Sequence, residues 1–483
     1  MPYEDFRSFL ATLMKNEQLV KVEEEVDPEL EIAEIVSRVN EQGGPALWFK
    51  KVKGSPYPLA VNMFASTDRL NLAFEVKSLD ELAAEIRDTL EPFLRPGQGI
   101  METLKYIPQL VHMKNFVPRQ ARRPSCQEVV EKNPDLTQLP LLKSWPRDAG
   151  RFITCPLVIL RDPDTGQLNM GIYRMQVLDT KRAIVRVHAH KDGAEILRRY
   201  QKRGEKAPAA IAIGSDPATF FAAFAPLPFG FSEMVFSSFL QKAPLEITRC
   251  RTVKLEVPAQ ADFVLEGFID PEELACEGPA GSYTGHYSRP GDFPVFQLTG
   301  MTRKKYPVFP ASIPVKPPGE LSLLIDATAR IFLPLLQVSL PEIIDLAIPA
   351  EGGFHNCVIV SIDKKYPGQA QKVMHALWGL DHLLFAKAII VVDRDTDPHD
   401  LFGVAWKVLS NLDAGRDFFF SQGPADGLDH AARYPGIGGK IGIDATAKTL
   451  QEGGDGDWPE VIKMDSGIRE QVSKKWKSYG IHF

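Results

Sequence analysis

The feature that most narrows the folds open to this chain is a change of texture along its length. Between about 150 and 305, short strand-like runs (153–160, 172–178, 183–188, 209–213, 253–257, 263–268 and 295–299) follow one another, parted by Pro, Gly and Asp turns. Frequent short strands at that spacing predict a β-barrel or sandwich. One helical insert, about 194–203, interrupts them. After about 340 the period switches to strand 357–362, helix 369–380, strand 388–392, helix 400–411 and strand 417–420, the alternation of βαβ units on a parallel sheet. Before 115 the chain reads as mixed α/β. Phe6, Phe9, Leu10 and Leu13 form one buried helical stripe, and Ile32, Ile35, Val36 and Val39 form another. Asp27 and Pro28 read as the cap and first turn of that second helix. Residues 78–81 have the form of a capping box, and 46–52 and 59–64 read as strands. Three domains follow: an α/β domain over 1–115, a β-rich domain over 116–325 that opens with a proline-punctuated linker at 116–125, and an α/β domain over 326–483 ending in an amphipathic docking helix at 468–479.

Composition excludes several classes of function. The 483 residues carry 56 Lys and Arg against 62 Asp and Glu, a net charge of −6, without the basic face that nucleic-acid binding requires. With 44% apolar and 24% charged residues, the chain has the balance of a soluble globular protein with a sizeable core. Five scattered cysteines (Cys126, Cys155, Cys250, Cys276 and Cys357) make neither a CxxC metal ribbon nor a disulfide framework, so a reducing, cytoplasmic location is expected. The first residues are acidic where a signal peptide would be basic. No eighteen-residue apolar run predicts a membrane span.

Chemistry concentrates in the β-rich middle. In the segment 169–174, Asn169 offers a hard amide oxygen and Arg174 a fork for a carboxylate or phosphate. An Asn near a Gly, taken alone, is more often just a turn. His188 and His190 stand at i and i+2, which would put both rings on one face of a strand; as an isolated pair they carry ordinary structural roles at least as readily. Glu233 sits alone in the apolar surroundings of 226–233, where a carboxylate is seldom buried unless paired or metal-bound. Asn169, His190 and Glu233 together would supply O, N and O ligands to Mg²⁺ or Mn²⁺. The loop 277–287 carries Glu277, Ser282, Tyr283, Thr284 and His286 on rigid Gly and Pro turns, either a structural corner or an active-site wall. Glu277 is its candidate general acid/base and Arg174 the clamp for an anionic substrate. The glycine-rich run 436–442 lacks the GxxxxGK[ST] form of a phosphate loop and reads as a turn-rich connection.

Taken in order, these motifs resemble the UbiD family of prenylated-FMN-dependent decarboxylases, most closely its 3-polyprenyl-4-hydroxybenzoate decarboxylase branch. The marks are 135–140 with Trp145-Pro146, 169–174, 214–219, Ser232-Glu233, Glu277-Gly278-Pro279, Gly285, 316–318, Asp429-His430 and 442–446. The resemblance implies an N-terminal α/β domain, a central split β-barrel that binds flavin, and a C-terminal α/β domain with an oligomerising helix. It implies Asn169, His190 and Glu233 as ligands of the divalent ion (Mn²⁺ or Mg²⁺, with K⁺ as a further ion). Ile172, Tyr173, Arg174, Arg186, Val187, His188, Lys191, Asp192 and Lys387 would then line the prenylated FMN.

The family's catalytic set is Glu–Arg–acid. Arg174 and Glu277 match it, but Ser282 stands where the last acid belongs, and a serine does not donate a proton as a carboxylic acid does. His286 is the nearby titratable group. The implied activity is reversible non-oxidative decarboxylation of an aromatic, in particular phenolic, or α,β-unsaturated acid, releasing CO₂. A flavin prenyltransferase would supply the cofactor, and the assembly would be a homodimer or homohexamer. The alternatives are an arene or phenyl phosphate carboxylase subunit, or a silent flavin-binding assembly subunit.

Overall fold

The computed structural model describes residues 3–94, 116–228, 230–353, 355–380, 383–454 and 459–481. The boundary expected at 115/116 falls at the edge of 95–115, outside the described residues. In the N-terminal part, helix Phe6–Lys15 buries Phe6, Phe9, Leu10 and Leu13, and Asp5 caps it by accepting from the Ser8 N–H. The second helix begins later than its sequence suggests, at Glu31. Residues 28–30 are instead tied to the central domain, with the Leu30 N–H donating to Lys143 O at 2.9 Å, and Asp27 folds back on the Glu29 N–H without capping the helix. Helix Leu79–Leu94 starts where the capping signal placed it, although Glu81 accepts from the Lys77 N–H and not from Ser78. The N-terminal sheet runs in the order Leu19–Val26, Ala46–Val52, Leu59–Val61, Phe309–Ala311. Its last strand comes from the end of the central segment and pairs parallel to Leu59–Val61, which stitches the two domains together.

The centre is one strongly curled nine-stranded sheet. Its path is Arg151–Ile153, Met175–Val177, Arg182–Val185, Gly291–Arg303, Phe263–Glu277, Ala207–Ile213, Leu157–Arg161, Leu168–Ile172, with Val129–Val130 added against Gly291–Arg303. The long antiparallel pair Phe263–Glu277 and Gly291–Arg303 is its spine, and it bulges after Glu266 and Asp270. Each bulge bends the sheet and increases its twist, which is how so many strands wrap one core. Helix Asp192–Arg203 covers the inner face, packing Ile196, Leu197 and Tyr200 on it. The expected linker is partly structured: Arg119–Gln120 pairs parallel to Glu246–Arg249.

In the C-terminal part the order is Ile343–Ala347, Cys357–Ile362, Ala388–Asp393, Ile437–Asp444, Phe418–Pro424; the three inner strands are parallel and both edge pairings antiparallel. The glycine-rich run is therefore the strand Ile437–Asp444 and not a connection. Gly442 answers to packing: a Cβ there would stand 2.3 Å from Met374 Sδ of helix Gln369–Trp378. Helix Glu320–Ser339 is long and apolar enough by composition to cross a membrane. Here it is a core element, giving Leu324, Ala327, Ile331 and Phe332 to the N-terminal core and Ala329 and Leu333 to the C-terminal one.

Candidate active site

Between the central sheet and the C-terminal part lies a cavity of about 320 Å³. Asn169, Ile172, Tyr173, Arg174, Arg186, His188, His190, Lys191, Asp192, Glu233 and Tyr283 line it from the central domain. His355, Phe385, Asp426 and Leu428 line it from the other side. Asn169 and Leu428 are 259 residues apart in the chain, and the fold brings the two walls together.

The segment 169–174 enters the wall along strand Leu168–Ile172. Tyr173 then turns inward and is buried between two glycines, because a Cβ on Gly171 or Gly193 would lie 2.6 or 2.8 Å from its hydroxyl. The Gly193 N–H donates to that hydroxyl at 3.3 Å. Both glycines are therefore explained by one tyrosine, which sets the start of helix Asp192–Arg203 against the wall.

Glu233 opens helix Glu233–Leu240, 8% exposed. One of its carboxylate oxygens accepts from Asn169 Nδ2 at 2.9 Å and the other from the Met170 N–H at 3.1 Å. Burial pushes its carboxyl up to about 7 against the pull of these bonds, and the charge of Asp192 adds to the rise. No Lys or Arg among the described residues pairs with it. A buried carboxylate beside a second carboxylate, without a cationic partner, is costly unless a cation joins it. Amide, carboxylate and imidazole donors face one space, so the residues present fit a hard divalent ion.

The two histidines are not arranged as the alternation predicts. Strand Arg182–Val185 stops before them, and the chain turns so that the Lys191 N–H donates to His188 O at 3.0 Å. Period-two geometry therefore does not apply. His188 is largely enclosed, with burial pulling its imidazole down to about 4, whereas His190 is exposed and sets its ring 4.5 Å from that of Phe385. Both still line the cavity.

Arg174 and Arg186 converge on one carboxylate. Arg174 Nε donates to Glu277 Oε1 at 2.8 Å and Nη2 to Ser288 Oγ at 3.0 Å, while Arg186 Nη1 donates to Glu277 Oε2 at 2.5 Å. Glu277, the last residue of its strand, is fully buried and stands behind the arginines without lining the cavity. Ser282 also lies off the cavity. Its hydroxyl meets Thr284 Oγ1 at 2.8 Å and accepts from the Thr284 N–H, closing a tight turn that ends at Gly285. That loop is seated by Asp148, which accepts from the Gly281 N–H at 2.7 Å, and by Trp145, whose indole leaves no room for a Cβ on residue 281.

His286 is exposed on the far side of the loop, its ring 4.3 Å from that of His430. Lys387 pairs with Asp429 at 2.8 Å. Neither lines the cavity, and Val187 is buried behind it.

Sequence reasoning missed the whole opposite wall. His355 Nε2 donates to Asp426 Oδ2 at 3.1 Å, and Asp426 Oδ1 accepts from the Leu428 N–H at 2.8 Å. Burial works to raise the Asp426 carboxyl, but the hydrogen bond and charge of His355, with the charge of His188, outweigh it and hold the group far below the ordinary range. Burial keeps the Tyr283 phenol above its ordinary value. The only available signal was the acid-rich stretch 426–430, of which Asp429 and His430 were noticed for their motif alone.

A curled sheet is flanked by two α/β parts, and Arg174 and Arg186 share the wall of the cleft with Asn169, Glu233 and His190. The chain belongs to the UbiD family: it matches the 3-octaprenyl-4-hydroxybenzoate carboxy-lyase N-terminal domain over 10–86, the Rift-related domain over 118–317 and the C-terminal domain over 322–445. It is 44% identical to an uncharacterized protein of Archaeoglobus fulgidus over 99% of this chain and 98% of that one. The vanillic acid decarboxylase of Sedimentibacter hydroxybenzoicus, in its closed form, superposes with a TM-score of 0.87 at 27% identity over 99% of each chain. An evolved dimeric form of the UbiD-class enzyme HmfF from Pelotomaculum thermopropionicum, in complex with prFMN, superposes with a TM-score of 0.79 at 27% identity over 96% of this chain and 98% of that one.

Proposed function

We propose that the protein decarboxylates a phenolic aromatic acid, reversibly and without net oxidation, using prenylated FMN and Mn²⁺ or Mg²⁺. The observation that carries this is Arg174. It presents a guanidinium at the cavity wall, and its position is held from behind by the buried Glu277 carboxylate. A planar fork fixed in that way is built to hold a substrate carboxylate. Asn169, His190 and Glu233 would hold the metal, and Ile172, Tyr173, Arg186, Lys191 and Asp192 would frame the flavin. When bound, the prenylated flavin would supply the electron sink for the carbon that loses CO₂.

Arg174 binds and orients the acid, and the apolar residues Ile172, Phe220, Leu227 and Phe385 exclude water around the ring. Glu277 keeps Arg174 and Arg186 in register and is the carboxylate from which a proton would be relayed to the ring. The phenolic choice is supported by Ser282. Lacking the family's last acid, the site suits a ring already activated by a hydroxyl, and the likeness to a vanillic acid decarboxylase points the same way. The same site would serve carboxylation when CO₂ is in excess.

All five cysteines are free, in keeping with a reducing cytoplasm. The helix Ser466–Lys475 buries none of its residues within the chain and would serve assembly of a homo-oligomer. The test is co-expression with a flavin prenyltransferase. The purified protein should carry a modified flavin by mass spectrometry and need it, with Mn²⁺ or Mg²⁺, for CO₂ release. Equal activity with unmodified FMN would overturn the assignment.

A further inference from the structure

We infer that His355, oriented by Asp426, receives the ring hydroxyl of the substrate and takes its proton; the inference rests on the phenolic decarboxylase reading above. His355 and Asp426 are 8% and 9% exposed and line the cavity on the wall opposite Arg174's domain. The Asp426 carboxylate is itself oriented by the Leu428 N–H, which donates to its other oxygen at 2.8 Å. An imidazole whose Nε2–H is held by a carboxylate keeps its basic lone pair on Nδ1, the base-and-orienter arrangement of catalytic triads. Ser282 and His286 do not do this work inside the cavity: Ser282 closes its own turn and the ring of His286 packs against that of His430.

The strap that carries Asp426 is packed on the arginine side as well. A Cβ on Gly427 would lie 3.7 Å from the His188 ring and 3.9 Å from Arg186 Nη2. One short segment thus positions the dyad relative to the carboxylate-binding arginines. The charged and titratable groups facing the dyad are His188, Arg186, Arg174 and Tyr283.

The proton inventory closes. The phenolic O–H proton passes to His355 Nδ1, and the oxygen's electron density moves into the ring. The carboxyl-bearing carbon takes up one proton relayed by way of Glu277, which regains it from solvent. Its bond to the carboxylate then breaks, the bonding pair returns to the ring, CO₂ leaves, and the phenolate oxygen recovers its proton from His355. The net change is one proton consumed and one CO₂ released per acid.

The probe is 4-hydroxy-3-nitrobenzoate, whose phenolate is yellow, mixed with the purified protein about one pH unit below the free probe's phenol pKa. Wild-type protein should bind it and shift it to the phenolate spectrum. His355→Gln should still bind it, about tenfold more weakly because the gain from proton transfer is lost, and leave it neutral, and Asp426→Asn should reduce the shift. On a hydroxyaryl acid, loaded His355→Gln should lose ~10²–10⁴-fold in kcat with unchanged flavin content.

No binding by wild type, a neutral bound probe, or an undiminished shift in His355→Gln would each overturn the assignment; where that variant does not fold, Asp426→Asn carries the comparison. A normal shift in a loaded enzyme that releases no CO₂ from any hydroxyaryl acid would instead overturn the decarboxylase reading and leave His355 as the hydroxyl receptor.

Discussion

Arg186 and Glu277 meet at 2.5 Å with both side chains withdrawn from water, 6% and 0% exposed. Because Arg174 grips the other oxygen of the same carboxylate, Glu277 is first of all the post on which two guanidiniums are hung. Breaking a buried pair from one side leaves uncompensated charge, which costs ~3–5 kcal/mol.

Glu277→Gln should therefore do two things at once. Decarboxylation should fall by ~10²–10⁴-fold, the range for loss of a good acid–base group, and chemical denaturation should show a stability loss of a few kcal/mol. Flavin content should stay near that of the wild type. A loss of activity without any loss of stability would mean that the two arginines find other partners.

Glu233→Gln removes the charge that would attract the divalent ion. Metal and flavin should be lost together from a folded protein, as read by elemental analysis and absorbance. The apo fold should be no less stable than the wild-type apo fold, because a carboxylate buried without a cation is a burden until an ion arrives. Undiminished occupancy of both would reject the ligand assignment.

Gly193→Ala tests the tyrosine slot. The new methyl would press within 3.0 Å of Tyr173's hydroxyl and ring, and overpacking of that kind costs ~1–3 kcal/mol. The expected outcome is a lower melting temperature together with weaker flavin retention. The same substitution at Gly204, where a Cβ would meet nothing within 4 Å but φ is +65°, should cost stability through backbone strain and leave the flavin alone.

Asp345, Asp397 and His399 bring their donor atoms within 4.8 Å of one another on the surface, but Arg330 Nη1 already sits 2.7 Å from Asp345 Oδ1. The trio reads as an ion-pair cluster. Asp345's hydrogen bond raises the His399 imidazole above its ordinary value. A raised base stabilises the fold fully below its unfolded pKa of about 6.5, and that stability fades as pH rises through the folded value. His399→Asn should thus cost less than about 1 kcal/mol at pH 5.5, as for other exposed pairs, and nothing measurable at pH 9, by urea denaturation at the two pH values.

What could be read in the sequence was chemistry that is local and out of place. Glu233 among apolar neighbours and Arg174 at the end of the segment 169–174 stand out as residue types, and the curled sheet was visible as a run of short strands. Partnership was harder to see. Glu277 reaches Arg186 across 91 residues of sequence, and His355 reaches Asp426 across 71, so no window of periodicity contains either pair.

The alternation in 437–444 was present, with Ile437, Ile441 and Ile443 on a period of two. It was hidden by the intervening glycines, one of which, Gly442, answers to Met374, a residue far away in the chain. His188 and His190 failed for the opposite reason: the spacing was read as strand geometry where the strand had already ended.

The central claim is that Arg174 holds the acid that this cavity decarboxylates. It is tested most directly by CO₂ release from a panel of hydroxyaryl acids, comparing wild-type protein and Arg174→Ala, both co-expressed with a flavin prenyltransferase and matched for bound flavin and Mn²⁺. The account predicts turnover of at least one acid by the wild type and a loss of ~10²-fold or more in kcat/KM for Arg174→Ala at equal flavin content, as expected when a charged group that positions the reacting carboxylate is removed. Arg174→Ala turning over the same acid within a few-fold of the wild type would contradict it.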